Sequence, residues 1–311
     1  MYKKLNFPNK LFNTFLLVLT ILCFIKLFSS RDSNIIKNVF NLYDKESIIH
    51  EDLNGDNKKD TILVKKNDSG LISQIDLNDN KTYSLNYKKD LQTLGEYSDY
   101  WPVRVSTLDI SRDNSKEIFI QSSFHNKPIQ HIFSWNGLGY DDIFCSDNNI
   151  VGFVDSSNSK TPKVISGNFV NGNMNFNGYL YNKGTLKEFN STLTDNLPGS
   201  DTINNFICLM ESLPNEYLSI PNYFYSQIRG TDLENIFRLA NGSNYYKFQD
   251  GYFTDLAWDN DGNITCENWI LNFRVTSSLD NKKISNITVN LMLNTYADDI
   301  YPFKITSVNI Y

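Results

Sequence analysis

Histidine and cysteine are scarce in this 311-residue chain, and positive charge is in deficit. The four cysteines are Cys23, Cys145, Cys208 and Cys266. Cys23 lies inside an apolar run, and the other three are too widely spaced for a disulfide framework or a zinc site. Buried free thiols are the expectation. The three histidines, His50, His125 and His131, belong to no H-E-x-x-H arrangement. No G-x-S-x-G elbow, Gly-rich phosphate loop or paired Cys/His signature accompanies them. A carboxylate pair assembled by folding would leave no such trace, so this removes only the chemistries that sequence can show. Lys and Arg number 29 against 35 Asp and Glu, a net charge of −6, with no basic stripe beyond the N-terminus. That excludes a nucleic-acid partner, which needs a basic face to displace phosphate counterions.

Apolar residues make up 41% of the chain and charged residues 21%, enough to bury a core and inconsistent with a disordered tail. The length allows two ordinary domains. The abundant Tyr and Phe lean toward β structure, where flat rings pack on a pleated surface.

There is one long apolar run. Lys3, Lys4 and Lys10 precede Leu11–Ile25, and Lys26, Leu27 and Phe28 follow. About 18 residues cross roughly 30 Å of hydrocarbon if Lys26 snorkels. Basic residues on the N-terminal side place that end in the cytoplasm. A cleaved signal peptide is the rival. Leu27-Phe28-Ser29-Ser30 lacks the small-residue pair that cleavage wants, and Leu19-Thr20-Ile21-Leu22 lacks the small residue expected before a lipidated Cys23. The expected order is therefore a basic cytoplasmic tail (1–10), an uncleaved single-pass anchor (11–28) and a juxtamembrane linker (29–44). All later residues would lie outside the cell.

Ser47-Ile-Ile-His-Glu-Asp52-Leu-Asn54-Gly-Asp56-Asn-Lys58-Lys-Asp60 places oxygen-bearing side chains at loop positions 1, 3, 5 and 9, between apolar strands. Calcium takes six to eight oxygen ligands, and this spacing can wrap them round one ion. Asp52, Asn54, Asp56 and Asp60 would give side-chain oxygens and Lys58 a backbone carbonyl. Fifty-seven residues on, the pattern returns at Asp109, Ser111, Asp113, Ser115 and Glu117. Repetition at a fixed period points to a repeated supersecondary unit. The competing reading is two ordinary Asn/Asp/Gly turns.

These segments resemble the FG-GAP/VCBS-type repeat, the calcium-loop unit of integrin-like β-propellers. Asp52 to Asp60 matches its D-x-[DN]-x-D-x-x-x-D form. The copy at Asp109 to Glu117 is looser, with Ser111 in place of Asp or Asn and Glu117 closing the loop. A third copy at Lys163 to Asn173 has no carboxylate and is expected as a bare strand–turn–strand. The resemblance spans residues 45–195 and implies structural calcium that stiffens the turns. A closed propeller needs at least four blades, so a partial, propeller-like array is expected.

A boundary is expected near Asn190–Ser200. Asp201 can then cap a helix with Ile203, Phe206, Ile207, Met210 and Leu213 on one face, ended by Pro214. Pro221 to Ile228 is read as a short second helix and Asp232 to Ala240 as a third. Period-two alternation follows: Tyr252 to Trp258, an Asp261-Gly262 hairpin, Trp269 to Val275, Ile287 to Leu293 and Phe303 to Ile310. Short helices before an antiparallel meander resemble the nuclear-transport-factor-like (cystatin-like) α+β cone, placed here at 200–311. Asp255, Asp259, Glu267 and Arg274 stand near its strands and are read as solvated.

The fold class is accordingly mainly β plus α+β, behind an N-terminal transmembrane helix. The functional expectation is a membrane-anchored cell-surface protein that binds or scaffolds a protein or cell-wall partner. An envelope enzyme with its pocket in the C-terminal domain is the alternative.

Overall fold

The first alternating run, Ile49 to Leu77, folds as a meander because its apolar residues fall on one face. Its strands are β2 (Glu46–Glu51), β3 (Asp60–Asn67), β4 (Gly70–Asp76) and β5 (Thr82–Tyr83). In β3, Asp60, Ile62 and Val64 are buried while the residues between them are half-exposed. A second meander repeats the order: β6 (Val103–Leu108), β7 (Glu117–Phe124), β8 (Lys127–Trp135) and β9 (Tyr140–Ser146). A three-residue strand, β1 (Phe40–Leu42), pairs with β6, inside the stretch expected to be linker. A third meander comprises β10 (Ile150–Val154), β11 (Lys163–Val170), β12 (Asn173–Asn182) and β13 (Thr185–Phe189). Helices α1 (Ser200–Glu211) and α2 (Gly230–Ala240) follow. The fourth meander has longer strands: β14 (Asn244–Trp258), β15 (Ile264–Ser277), β16 (Ile284–Thr295) and β17 (Phe303–Ile310).

The structure, a computed structural model, describes residues 40–42, 46–67, 70–87, 91–155, 161–189, 194, 196–215, 219–296 and 300–311. The expected basic tail and anchor lie outside those residues, as does most of the linker. No helix among the described residues is long and apolar enough to cross a membrane. Among the described residues the chain is mostly β-sheet with two helices, in agreement with the mainly β class.

Sheets and helices stack in layers. Ile118 and Ile120 of β7 pack with Ile49, Ile62 and Ile75 of the first sheet. Phe119, on the opposite face, packs with Val151, Phe153 and Tyr252. β10 alternates in the same way, sending Val151 and Phe153 to that side and Ile150 and Val154 to the other. Period-two alternation with both faces apolar is what a strand buried between layers requires. On the far side Trp269, Leu271 and Phe273 of β15 meet Ile203, Phe206, Ile207 and Met210 of α1, the helix face expected from the sequence.

Three expectations change. The break near residues 190–200 does not separate two sheets, because β10 pairs in parallel with β14 and one eight-stranded sheet runs from β13 to β17. Local composition marked the helices but could not register a pairing between strands about 100 residues apart. The proposed third repeat at 163–173 is a strand–turn–strand, yet its turn joins the second and third strands of its meander. In the first two meanders the acidic loop joins the first and second strands. Finally, Pro221–Ile228 is no helix. Tyr225 donates its N–H to the carbonyl of Ile305, and Ile305 donates its own to Tyr223. The edge of β17 takes backbone groups in the middle of this segment, which leaves two single turns, Phe224 N–H to Pro221 and Ile228 N–H to Tyr225, and no continuous helix.

Candidate functional site: two congruent acidic loops

The loops at 52–60 and 109–117 adopt one conformation. Gly55 and Arg112 both have positive φ (79° and 63°), as do Asn57 and Asn114 (64° and 71°). Gly and Asn tolerate this region, whereas Arg112 is held there against its preference. Asp52 accepts the N–H groups of Gly55 and Asn57, each at 2.8 Å. Asp109 accepts those of Arg112 at 2.6 Å and Asn114 at 3.2 Å. The fifth residue of each loop repeats as well: Asp56 accepts from Lys58 N–H at 2.9 Å, and Asp113 from Ser115 N–H at 2.8 Å.

The closing carboxylates are the buried part. Asp60 is 1% exposed and accepts Leu53 N–H at 2.9 Å. Glu117, also 1% exposed, accepts Ile110 N–H at 2.8 Å and Ser134 hydroxyl at 3.0 Å. Burial pushes the Glu117 carboxyl up to about 7, although the N–H of Ile110 and the hydroxyl of Ser134 pull it down. Asn78, which the sequence reading did not single out, donates its backbone N–H to Asp60 and its side-chain amide to Asp56. The two loops touch. Lys116 is paired with Glu51 at 2.5 Å, and a Cβ placed on Gly55 would lie 3.4 Å from the backbone of Asn114.

These oxygens are of the hard type that calcium takes. In this arrangement the carboxylates of Asp52, Asp56 and Asp60 already accept from the loop's own N–H groups or from Asn78. Among the described residues no three His, Cys, Asp or Glu side chains are grouped as metal ligands.

Other singled-out residues separate into surface and core. His50 is exposed on β2 and bonded to Thr61, while His125 stacks on Phe124 at 3.9 Å. His131 is buried, between Asp142 at 3.1 Å and the carbonyl of Thr93 at 3.0 Å. Cys145, Cys208 and Cys266 are half-buried, and no disulfide joins any two of them. Asp259 sits in the hairpin turn, accepting Asn263 N–H at 2.8 Å. Asp255 and Glu267 do not lie on a solvated face: they are 1% and 0% exposed. They stand in phase with Phe253, Trp269 and Leu271 on the apolar face that packs against α1, so the alternation runs through two charged positions. Arg104 and Asp250 form a buried ion pair at 2.7 Å that no local sequence signal marks. Asp250 further accepts the Trp101 indole N–H and the Asn272 amide.

Comparison with protein-family models, curated proteins and solved structures finds no match to this chain.

Proposed function

We propose that this chain is a membrane-anchored, extracytoplasmic protein that serves as a binding or scaffolding component of the cell envelope. The congruence of the two acidic loops carries the reading: one backbone path, one set of caps and one buried closing carboxylate, set fifty-seven residues apart. Such repetition is the signature of arrayed modules that present surface rather than a single catalytic cleft. On this reading the first three meanders form an incomplete propeller-like array of FG-GAP/VCBS type. The helices and the fourth meander form a cone-like α+β module. The segment 11–28 holds the protein in the membrane with Lys3, Lys4 and Lys10 inside, and the partner is a protein or a cell-wall polymer.

Topology reporters test the placement. Alkaline phosphatase fused after Tyr311 should be active in intact cells, and deletion of residues 1–28 should release the protein from membranes; an inactive fusion sinks the reading. In the same proposal the loops take structural calcium. Calcium should then raise the melting temperature of the wild type but not that of Asp56→Ala with Asp113→Ala. An unmoved wild-type midpoint removes calcium and leaves the array.

A second reading, an envelope enzyme, draws on the buried Asp255 and Glu267. Asp255 accepts N–H groups from Asp155 and Trp258, which line a cleft of about 660 Å³. It requires turnover of an envelope polymer that Glu267→Gln abolishes.

A further inference from the structure

A second, smaller cleft of about 310 Å³ opens where the β7–β8 turn, the β11–β12 turn and the end of α1 meet β14 and β15. Gln249 lies in its wall as the extra residue of a β-bulge. The ladder passes from Phe248 opposite Phe273 to Asp250 opposite Asn272 and leaves Gln249 unpaired. Bulges of this kind re-aim a side chain. Gln249 is 4% exposed, and its Oε1 accepts the Asn286 amide at 3.1 Å. Its Nε2 is buried with no hydrogen-bond partner among the described residues. A buried donor left in that state carries the full cost of its lost hydration.

Two cations share the same wall. Lys247 and Arg274 are register partners on β14 and β15, and like charges directly opposite each other repel. Glu211, at the end of α1, answers only one of them: it pairs with Lys247 at 2.9 Å and accepts Phe248 N–H. Arg274 has no carboxylate partner among the described residues. Its guanidinium lies over the Tyr100 ring at 5.2 Å, and its buried Nε has no hydrogen-bond partner. Two cations and one carboxylate leave one unit of positive charge, on a chain whose net charge is −6. Phe169 and Pro128 add apolar surface to the same cleft.

We propose that this cleft binds a small carboxylic acid as its anion, with the carboxylate received by Gln249 Nε2 and Arg274 and the apolar body set against Phe169 and Pro128. The unpartnered groups are all donors, so the complementary ligand is an acceptor. The single uncompensated charge matches a monoanion better than a doubly charged phosphate. A guanidinium and an amide N–H lining one cleft suit the two oxygens of one carboxylate. The volume is that of a small-molecule site, at the lower end of the usual range.

Isothermal titration of the detergent-solubilised full chain with acetate, benzoate and hippurate tests the assignment, with benzamide and inorganic phosphate as comparisons. At least one of the three acids should bind saturably, about tenfold or more tighter than benzamide and tighter than phosphate. Arg274→Gln should weaken that binding by about tenfold or more. Gln249→Glu, which supplies the carboxylate from within, should abolish binding without lowering the melting midpoint, and it keeps the test decisive should Arg274→Gln fail to fold. Absence of saturable binding by all three acids overturns the proposal. So does benzamide binding as well as benzoate, or binding undiminished in a folded variant. Phosphate binding tighter than every acid overturns the choice of carboxylate.

Discussion

Asp255 and Glu267 stand directly opposite each other on neighbouring strands of the large sheet, two carboxyl groups both buried. Burial pushes Glu267 from its ordinary 4.5 up to about 8; the Trp269 indole N–H, at 2.9 Å, pulls it back, and the Asp255 charge adds to the rise. The folded state thus keeps a proton that the unfolded chain gives up at lower pH. Its stabilising contribution is complete below about pH 4.5 and is lost as pH rises through about 8. Stability measured by urea denaturation should fall across that window. Glu267→Gln retains an acceptor for Trp269, removes the ionisation, and should flatten the decline. A variant whose pH profile parallels the wild type would refute this account.

Asp60 and Asp56 belong to one loop but should differ sharply in cost. Asp60→Ala strands the N–H of Leu53, a residue with no exposed surface, and two donors of Asn78. Orphaning buried donors predicts a loss of roughly 2–4 kcal/mol. Asp56 is exposed, so Asp56→Ala should move the urea midpoint far less. Equal losses for the two variants would contradict the division between a buried closing carboxylate and exposed caps.

The Arg104–Asp250 pair ties β6 to β14 between two layers, with Gln121 accepting from Arg104 at 2.7 Å. Removing one partner leaves a buried charge uncompensated, so Arg104→Met should cost about 3–5 kcal/mol. Arg104→Met with Asp250→Asn should recover part of that loss. Chemical denaturation of both variants reads the difference, and a double variant less stable than the single one would go against it.

Gly199 precedes α1 with φ at 71°, and a Cβ there would run into the Glu267 carboxylate. Gly199→Ala combines a strained backbone with a core clash, for an expected loss of about 1–3 kcal/mol. Shortening the opposing side chain in Gly199→Ala with Glu267→Ala should give a total loss smaller than the sum of the two single losses. Simple additivity in melting experiments would show that the two residues do not press on each other.

The acidic loops are legible because the hydrogen bonds that shape each turn are short-range. Asp52, Gly55 and Asn57 lie within one turn, and turn chemistry follows from residue type alone. The carboxylates at positions nine could be placed in register, but not their burial, which depends on Asn78 for Asp60 and on Ser134 for Glu117. Charge alone marks Asp255 and Glu267 as solvated, yet period two puts them in phase with Phe253 and Trp269 on the face that α1 covers. The turn at Asp259 was read correctly for the same reason that its neighbours were missed: its partners lie within four residues.

Alternation in the sequence was enough to determine the two strands that carry Asp255 and Glu267, and with them the mainly β character of the chain. Local propensity likewise set both helices and the two matching loops, since hydrophobic period and turn preference are properties of a few adjacent residues. Only the tertiary structure decided that β10 lies beside β14, that Arg104 finds Asp250, and that Gln249 and Arg274 face one cleft. Each of these joins residues far apart in the chain, and burial of whole faces, rather than any local preference, selects among the pairings.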